Sequence, residues 1–331
     1  MNVMAEQMVG RPTIMQREPQ FFGGQFGVKG SDSPLGWRTH PDAVILYVDS
    51  GHPNALDTND GTDPTAPLAT VQAAVNSSLL TPYSEIRVSG EVAEDVVTPD
   101  YATGPNYVWI RGNGISRYSP AWSGDDADTA SLDMRAVGWR VSGFRFYGKT
   151  GASCLVLRHT DSGANDIAIR TVVHDCYFDG LTTGLRGIES HGCYDVWVVN
   201  CTFALFNNVG NTAFCMETTT TPLAIPYRNY ILGCYFHDSD NGVEWSMNGS
   251  FILGCLFQPT GYAYAMIQVL NTSTVANPGD DNIVAENVFP GDYSIAGGYR
   301  PGAADAWLGN WADDTAEAEV GDNGITIARP T

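Results

Sequence analysis

The feature that most constrains this chain is a short signature repeated between Asn165 and Phe289. Each copy has an apolar run followed by Cys or Asn, any residue, and Phe. An earlier copy carries Phe144 where the others have Cys or Asn. Irregular repeats of about 20 to 35 residues are typical of a solenoid. In a solenoid, one coil buries its apolar side only by stacking on the next.

The composition of the repeats predicts strands. They are rich in Val, Ile, Tyr, Phe and Trp, and Gly, Asn and Asp separate them. No long stretch between Ser84 and Tyr299 has apolar residues at helical spacing. In a parallel β-helix, equivalent positions of successive coils lie roughly 4.8 Å apart. The sequence therefore predicts an all-β solenoid with interior ladders of equivalent residues.

Three ladders are expected. The first is Phe144, Cys176, Cys201, Cys234, Cys255 and Asn287. The second is Phe146, Phe178, Phe203, Phe236, Phe257 and Phe289. The third is Val173, Val198, Ile231, Ile252 and Val284. Because apolar residues occupy both parities of the repeat, we also expect a bend within it, at a position that the sequence leaves open.

The cysteines are predicted to be packing residues. The chain has seven, without a CxxC pair, and four of them fall in the first ladder. A buried Cys behaves as a small hydrophobic residue, so we expect reduced thiols rather than a disulfide framework or metal site. Reduced cysteines favour assembly in a cytoplasm.

The charge excludes several partners. Asp and Glu number 37 against 17 Lys and Arg, for a formal net charge of −20. Such a surface repels nucleic acid, anionic membranes and acidic polysaccharides, and it favours neutral ligands and cations. No run of about 18 apolar residues predicts a membrane span. Met1 to Gly10 lacks the basic and apolar regions of a secretory signal.

Four segments are predicted: an extended arm over 1–43, an opening strand and capping helix over 44–83, the β-helix over 84–296, and a C-terminal tail over 297–331. Aromatic residues are unusual for a linker, so we expect the arm to dock on a partner protein through Phe21, Phe22, Phe26 and Trp37. The alternative is a disordered tail.

The capping helix follows Thr70, a suitable N-cap residue. The apolar face predicted for this helix consists of Val71, Ala74, Val75 and Leu79. Such a helix would cover the open end of the solenoid, where strand edges are unpaired.

The opening segment carries a family resemblance. Tyr47–Asp49, Asn59–Thr62 and Pro67–Val75 resemble the first motif of pectate-lyase-like right-handed parallel β-helix proteins, and the resemblance covers residues 44–295. It implies a single-stranded right-handed parallel β-helix with a short N-terminal capping helix. That superfamily includes polysaccharide lyases, glycoside hydrolases, phage tailspikes and non-catalytic virion proteins, so the fold alone does not decide function.

The arm and helix together, starting at Gly23–Val28, resemble most a bacteriophage virion protein of the capsid-decoration or tailspike type. This resemblance implies a homotrimer.

The candidate chemical site is a column of carboxylates in the second half of the repeat. If Ile188, Met216 and Val243 point inward, strand alternation sends Glu189, Glu217 and Glu244 outward, with Gln268 in the next coil. Neighbouring carboxylates would lie about 5 Å apart, and the outer pair about 10 Å apart. Retaining glycosidases need roughly 5 to 5.5 Å between their two carboxyl groups, and inverting ones roughly 6.5 to 9.5 Å. Trp245, Tyr235, Tyr262 and Tyr264 are candidates for sugar stacking. The competing interpretation is an ordinary hydrated acidic face.

Other candidate sites have weaker support in the sequence than the glutamate column. Asp125, Asp126 and Asp128, and likewise Asp57, Asn59 and Asp60, could bind calcium through oxygen ligands, with solvated loops as the alternative. No other cofactor is expected. His174, His191 and His237 fall at different coil positions, and each is expected to be a core or loop histidine.

Two functions remain open. The first is a non-enzymatic structural protein of a phage virion, located on the virion surface, whose arm binds a capsid or tail protein. The second is a spike that binds or hydrolyses a host surface glycan through the stacked carboxylates, which would make it a glycoside hydrolase. A polysaccharide lyase is disfavoured, because it needs basic residues that the later coils scarcely have.

Overall fold

The computed structural model describes residues 43–114, 119–159, 166–207, 213–218, 227–245, 248–258, 267–269, 281–289, 299–300 and 306–312. The four arm residues predicted to dock on a partner lie outside the described residues, as do Tyr262 and Tyr264. The described chain forms three parallel sheets, named A, B and C here, and one short helix.

Sheet A has ten described strands. In spatial order they are β1 Ile45–Asp49, β2 Glu85–Ser89, β4 Trp109–Gly112, β7 Arg140–Ser142, β10 Val172–His174, β13 Trp197–Val199, β16 Tyr230–Leu232, β19 Phe251–Leu253, β22 Ile283–Ala285 and β25 Ala306–Leu308. Every pairing between them is parallel, from β1 with β2 to β22 with β25.

Sheets B and C have eight described strands each. Sheet B contains β5 Ala121–Trp122, β8 Arg145–Tyr147, β11 Tyr177–Asp179, β14 Thr202–Ala204, β17 Tyr235–His237, β20 Leu256–Gln258, β23 Val288–Phe289 and β26 Trp311–Ala312. Sheet C contains β3 Val96–Val97, β6 Leu132–Met134, β9 Ser153–Leu157, β12 Arg186–Ser190, β15 Phe214–Thr218, β18 Asn241–Trp245, β21 Ile267–Val269 and β24 Tyr299–Arg300.

From β4 onward, the described chain visits the sheets in the order A, B, C, and each strand pairs with its equivalent one coil later. This is the predicted parallel β-helix, and the prediction of fold class is confirmed. Parallel crossover connections are right-handed almost without exception, which agrees with the predicted hand. Pairing continues through β25 and β26 to Ala312, so the coils extend beyond residue 296, the predicted end of the solenoid. No helix in the described ranges is long and apolar enough to cross a membrane.

The bend that the repeat predicted lies at the corner between sheets A and B. One residue there adopts left-handed backbone, with φ of 53° at Asp175 and Asn200 and 60° at Gly233. Its amide donates to a carbonyl of the next coil, as from Gly233 to Leu253 at 2.9 Å. Gly and Asn tolerate this conformation best, which explains these residues before the Cys position. The corner turns both the preceding strand and the following Cys inward.

The three predicted ladders form the core. The repeated Phe residues are all buried, and their rings stack face to face at centroid distances between 4.6 Å (Phe236–Phe257) and 5.2 Å (Phe257–Phe289). Trp122 precedes them in the same column and stacks on Phe146 at 5.2 Å. Sequence comparison missed this member because Trp replaces Phe.

All seven cysteines are buried free thiols, as predicted. Within the first ladder, the thiol of Cys234 donates to the Val198 carbonyl oxygen of the preceding coil at 3.5 Å. Asn287 and Asn310 continue the column through side-chain amides, as in the 3.0 Å bond from Asn287 Nδ2 to Ile252 O. Burial raises the pKa of Cys154 and Cys215 to about 12, so these thiols stay protonated and unreactive at neutral pH.

Helix α1, Val71–Val75, packs over the first coil. Thr70 is its N-cap, and the hydroxyl of Thr70 accepts from the amide of Ala73 at 3.1 Å, as predicted. Val71, Ala74 and Val75 are buried. The prediction for Leu79 was wrong: the helix ends at its C-cap Asn76, and Leu79 is 41% exposed.

Candidate functional site

The predicted carboxylate column exists on sheet C. Glu189 pairs in register with Glu217, and Glu217 with Glu244. The preceding side chains Ile188, Met216 and Val243 are at most 1% exposed, so they fill the core and the glutamates face outward. Gln268 continues the register in β21. The column therefore lies on one side of the solenoid, with neighbouring backbones one strand spacing apart.

Glu189 is held by two neighbours on the same face. The Ser153 hydroxyl donates to Oε2 of Glu189 at 2.5 Å. Nε2 of His191 lies 2.8 Å from Oε1 of the same carboxylate. Ser153 precedes Glu189 by one coil, whereas His191 follows it by two residues in the same chain. Both oxygens of Glu189 are thus engaged with fixed partners.

Glu217 forms an ion pair with Arg186. The guanidinium Nε contacts Oε2, and the side chains are only 20% and 15% exposed. Burial raises the pKa of Glu217, the Arg186 charge opposes this, and the nearby Glu189 charge adds to it. Glu217 thus combines partial burial with a neighbouring cation and a neighbouring like charge.

The sequence revealed the glutamates but not their partners. His191, expected to be an ordinary core or loop histidine, contacts Glu189. The signal was present, because residues two apart in a strand point to the same side. Ser153 and Arg186 gave no such signal, since they reach the glutamates only through the register of neighbouring coils.

The predicted sugar-stacking residues do not gather around the column. Trp245 is 1% exposed and packs in the interior, so the prediction that it offers a face to a sugar was wrong. Tyr235 lies on sheet B, where its ring stacks on His237 at 4.5 Å and its hydroxyl donates to Gln258. In the described part of the chain, neither of these aromatic residues lines the glutamate face.

The acidic loop is organised around a lysine. Nζ of Lys149 forms an ion pair with Asp95 and donates to the carbonyl oxygens of Asp126 and Thr129 at 2.7 and 2.9 Å. Asp125 accepts from the backbone amide of Asp95 at 3.1 Å. Calcium binding by Asp125, Asp126 and Asp128 stays a prediction.

The loop before helix α1 has structural contacts of its own. Asp57 accepts from the amides of Ala69 and Thr70, and thereby holds the start of the helix. Asn59 donates to backbone carbonyls, and Asp60 accepts from Thr62. Throughout the ranges that the structure describes, no three His, Cys, Asp or Glu side chains are grouped as a metal site.

The three histidines occupy different positions in the coil, as predicted. His174 lies on sheet A, where it contacts Nη2 of Arg140 at 2.9 Å and the Asp175 carboxylate at 2.7 Å. Burial lowers the pKa of His174, and the Arg140 charge lowers it further. Arg140 also lies over the Trp109 ring, 4.5 Å from its centroid. This aromatic and basic cluster was not anticipated, since it combines residues from three coils.

The strand pairing defines a parallel β-helix protein. No protein-family model matches the sequence, and no curated protein matches it. Among solved structures, the chain is similar to an alginate lyase from Paenibacillus sp. str. FPU-7, with 16% identity, a TM-score of 0.45, and coverage of 73% of this chain and 92% of that one.

Two further similarities point to other proteins of this architecture. The tailspike protein of E. coli bacteriophage HK620, in complex with a pentasaccharide, is 12% identical at a TM-score of 0.46, over 92% of this chain and 58% of the tailspike. A pectin methylesterase from Aspergillus niger is 14% identical at 0.44, over 86% and 91%. At such identities and scores, these similarities carry no argument about activity.

Proposed function

We propose that this chain is a non-enzymatic structural protein of a bacteriophage virion. The β-helix projects from a capsid or tail, residues 1–43 anchor it there, and three copies assemble in the host cytoplasm into a homotrimer on the virion surface. The observation that supports a non-enzymatic role is that the central carboxylates of sheet C are bound within their own face. Arg186 engages Glu217, and Ser153 and His191 engage Glu189.

These pairs work against hydrolysis. Glycoside hydrolysis needs one protonated carboxyl aimed at the leaving oxygen and a second, ionised carboxylate that acts as nucleophile or base. The guanidinium of Arg186 favours the ionised form of Glu217 and fixes its orientation toward the protein. The contacts of Glu189 occupy both of its oxygens. The column is therefore suited to stabilising a partly buried acidic face.

The anchoring role is tested by deletion. Virions of a phage that encodes this chain are prepared with the full chain and with residues 1–43 removed, and the amount of the protein per purified virion is measured by mass spectrometry. We expect the truncated chain to fold, by circular dichroism, and to be missing from virions. Incorporation of the folded truncated chain at the level of the full chain would contradict the proposed anchor.

A second candidate is a glycoside hydrolase that acts on a neutral host surface glycan. The raised pKa of Glu217 favours it, because a general acid must hold its proton near neutral pH. The spacing of about 5 Å between adjacent coils lies near that of retaining glycosidases. In this case the three outward glutamates would also bind the glycan.

One assay distinguishes the structural protein from the glycoside hydrolase. Wild type, Glu217→Gln and the exposed control Glu91→Gln are incubated with polysaccharide from the host surface, and new reducing ends are counted. Reducing ends released by wild type and by Glu91→Gln, but not by Glu217→Gln, would establish the hydrolase. Their absence with wild type on host glycans, including glycans that the protein binds, is the outcome expected of the structural protein.

A further inference from the structure

Lys149 is a buried lysine at the corner between sheets B and C. It lies just after β8, and its side chain is 7% exposed. The chain has two lysines, and the other, Lys29, lies in the N-terminal arm. Arginine is the usual cation of a buried ion pair, because a guanidinium is more weakly hydrated than an ammonium group. A lysine at this position therefore points to chemistry that a guanidinium cannot perform.

The carboxylate partner of Lys149 lies two coils earlier. Nζ contacts Oδ1 of Asp95, whose side chain is 9% exposed, and Nζ also donates to the carbonyl oxygens of Asp126 and Thr129. Asp95 directly precedes β3, which pairs with β6, and β6 pairs with the β9 that follows Lys149. The contact thus joins two coils that are separated by a third, and the two residues are 54 positions apart in the chain.

Both oxygens of the Asp95 carboxyl group are fixed in place. Oδ2 accepts from the backbone amide of Asp126 at 2.9 Å, and Oδ1 contacts Nζ of Lys149. Gly124 packs over this contact, since a Cβ added there would overlap both Oδ1 and Nζ. The nitrogen and the carboxyl group are therefore held against each other at a site that is nearly closed to water.

A second carboxyl group lies beside that of Asp95. The side chains of Asp95 and Asp125 are hydrogen-bonded, and Oδ1 of Asp125 also accepts from the backbone amide of Asp95 at 3.1 Å. Burial raises the pKa of Asp95, which favours its neutral form. The hydrogen bond from Asp95 lowers the pKa of Asp125, which favours its ionised form. A nitrogen nucleophile, a carboxyl group and a proton acceptor thus form one cluster.

We propose that Lys149 and Asp95 form an intramolecular isopeptide bond, with Asp125 transferring the protons. Nζ passes one proton through the Asp125 carboxylate to Asp95, and its lone pair then attacks Cγ. The backbone amide of Asp126 stabilises the negative charge that develops on Oδ2. Nζ passes a second proton by the same route to Oδ1, the Cγ–Oδ1 bond breaks, and water leaves. One ammonium and one carboxylate give one amide and one water, so the step needs no oxidant, reductant or co-reactant.

Contact in the folded chain promotes this reaction. Two groups held in reacting geometry behave as if they were at effective concentrations of up to about 10⁵–10⁸ M. The partners meet only when the coils have stacked, so the bond forms after folding.

The bond locks the N-terminal end of the solenoid. A coil is held only by its neighbours, so a terminal coil is the first to separate. Asp95 follows Glu94, whose carboxylate accepts from the amides of Val71 and Gln72 at 2.6 and 3.2 Å. The bond therefore ties the coil that holds the start of helix α1 to the coil of β8. This role goes beyond the proposed function and does not depend on it.

Mass spectrometry of the intact, denatured full chain tests the bond. We expect the mass of wild type to fall below its sequence mass by one water molecule. Lys149→Arg keeps the positive charge but cannot form the amide, so it should have its full sequence mass. Trypsin, which cleaves at the intervening Arg111 and Arg140, should release from wild type one branched peptide that contains both Asp95 and Lys149.

A second pair of variants tests the proton transfer. The chain is made by cell-free synthesis, and the cross-linked fraction is followed over time by mass. Asp125→Asn should slow formation of the bond about a hundredfold or more, because positioned proton transfer contributes about 10²–10⁴ in rate. Asp128→Asn makes the same change in the same loop and should cross-link at the wild-type rate. Circular dichroism reports whether each variant is folded.

Two outcomes would overturn the isopeptide bond. The first is a folded wild-type chain with its full sequence mass. The second is a loss of water without a peptide that joins Asp95 to Lys149, since an aspartate elsewhere can also lose water by cyclisation. Cross-linking of Asp125→Asn at the wild-type rate would overturn the role given to Asp125. Virion incorporation changes none of these readouts, so the bond and the proposed function can fail separately.

Discussion

In the same three coils, the outer face of sheet C carries carboxylates and the outer face of sheet A carries aromatic residues, although the backbones of the two sheets are equivalent. Sheet C presents Glu189, Glu217 and Glu244 on β12, β15 and β18, and sheet A presents Trp197, Tyr230 and Phe251 on β13, β16 and β19. Both sets are in register, and the inward neighbours of both fill one core. The coil repeat thus constrains only the inward positions, and the residue types at the outward positions differ from one face to the other.

The side chains on the two outer faces are stabilised in different ways. A partly buried carboxylate loses hydration, so each glutamate of sheet C with described contacts has a cation or a hydrogen-bond donor beside it. An aromatic residue on a sheet surface is stabilised by stacking on its neighbour. The faces therefore should respond differently to truncation and pH.

The largest effect should come from the core that both faces share. Phe203→Ala leaves a cavity between Phe178 and Phe236, whose rings lie 4.7 and 4.9 Å from that of Phe203, and should lower the free energy of unfolding by about 3–5 kcal/mol. Urea unfolding measures it. Leu181→Ala, at a residue 46% exposed, should stay within about 0.5 kcal/mol of wild type. Equal losses would contradict the ladder core.

Removing the cation of sheet C should have the next largest effect. Arg186→Ala leaves Glu217 partly buried without its ion pair, and should cost about 1–3 kcal/mol of unfolding free energy. The comparison variant is Arg228→Ala, whose ion pair with Asp195 has a guanidinium side chain 53% exposed and should contribute about 0–1 kcal/mol. If both variants unfold at the same urea concentration, the glutamate column is an ordinary solvated surface.

Salt should affect the association of copies and the ion pair of sheet C differently. Raising sodium chloride from about 0.05 to 0.5 M screens the repulsion between copies in the proposed homotrimer, and should tighten their association by roughly tenfold, as measured by sedimentation. The unfolding free energy lost in Arg186→Ala should change little over this range, because the Arg186–Glu217 pair is partly buried. Weaker association at high salt would mean that ion pairs join the copies.

A smaller effect is expected from the hydrogen bond to Glu189. Ser153→Ala removes a donor 2.5 Å from Oε2 and should lower the free energy of unfolding by about 1 kcal/mol, since the acceptor keeps its His191 contact. Ser50→Ala serves as the control, because the hydroxyl of Ser50 donates to the Glu91 carbonyl at an exposed site. A loss no greater than that of Ser50→Ala would show that Ser153 does not support the column.

The pH dependence should give the smallest signal. The folded-state pKa of Glu217 lies above its ordinary value of 4.5, so the folded protein binds the proton more tightly than the unfolded chain. Its contribution to stability is present below pH 4.5 and is lost as pH rises through the folded-state pKa. Urea titrations at a series of pH values should show that the free energy of unfolding falls less steeply with rising pH for Glu217→Gln than for wild type and Glu91→Gln. Parallel curves would contradict the pKa shift.

Much of the fold could be predicted from local spacing. The Phe, Cys and apolar ladders were readable because a parallel solenoid places equivalent residues of successive repeats in one column. Asn310 was missed because Ala312, rather than Phe, follows it in the repeat. Trp245 was misread although strand alternation places it inside: Val243 and Trp245 lie two residues apart and are both 1% exposed, whereas Glu244 between them points outward.

The sequence by itself determined the coil, the inward ladders and the outward direction of Glu189, Glu217 and Glu244, because these follow from a period along one chain. Only the tertiary structure decided which groups meet across coils: Arg186 with Glu217, Ser153 with Glu189, and Trp197 with Tyr230. Those contacts depend on the register between strands that lie about 20 to 35 residues apart, and on corner conformations that spacing alone does not specify.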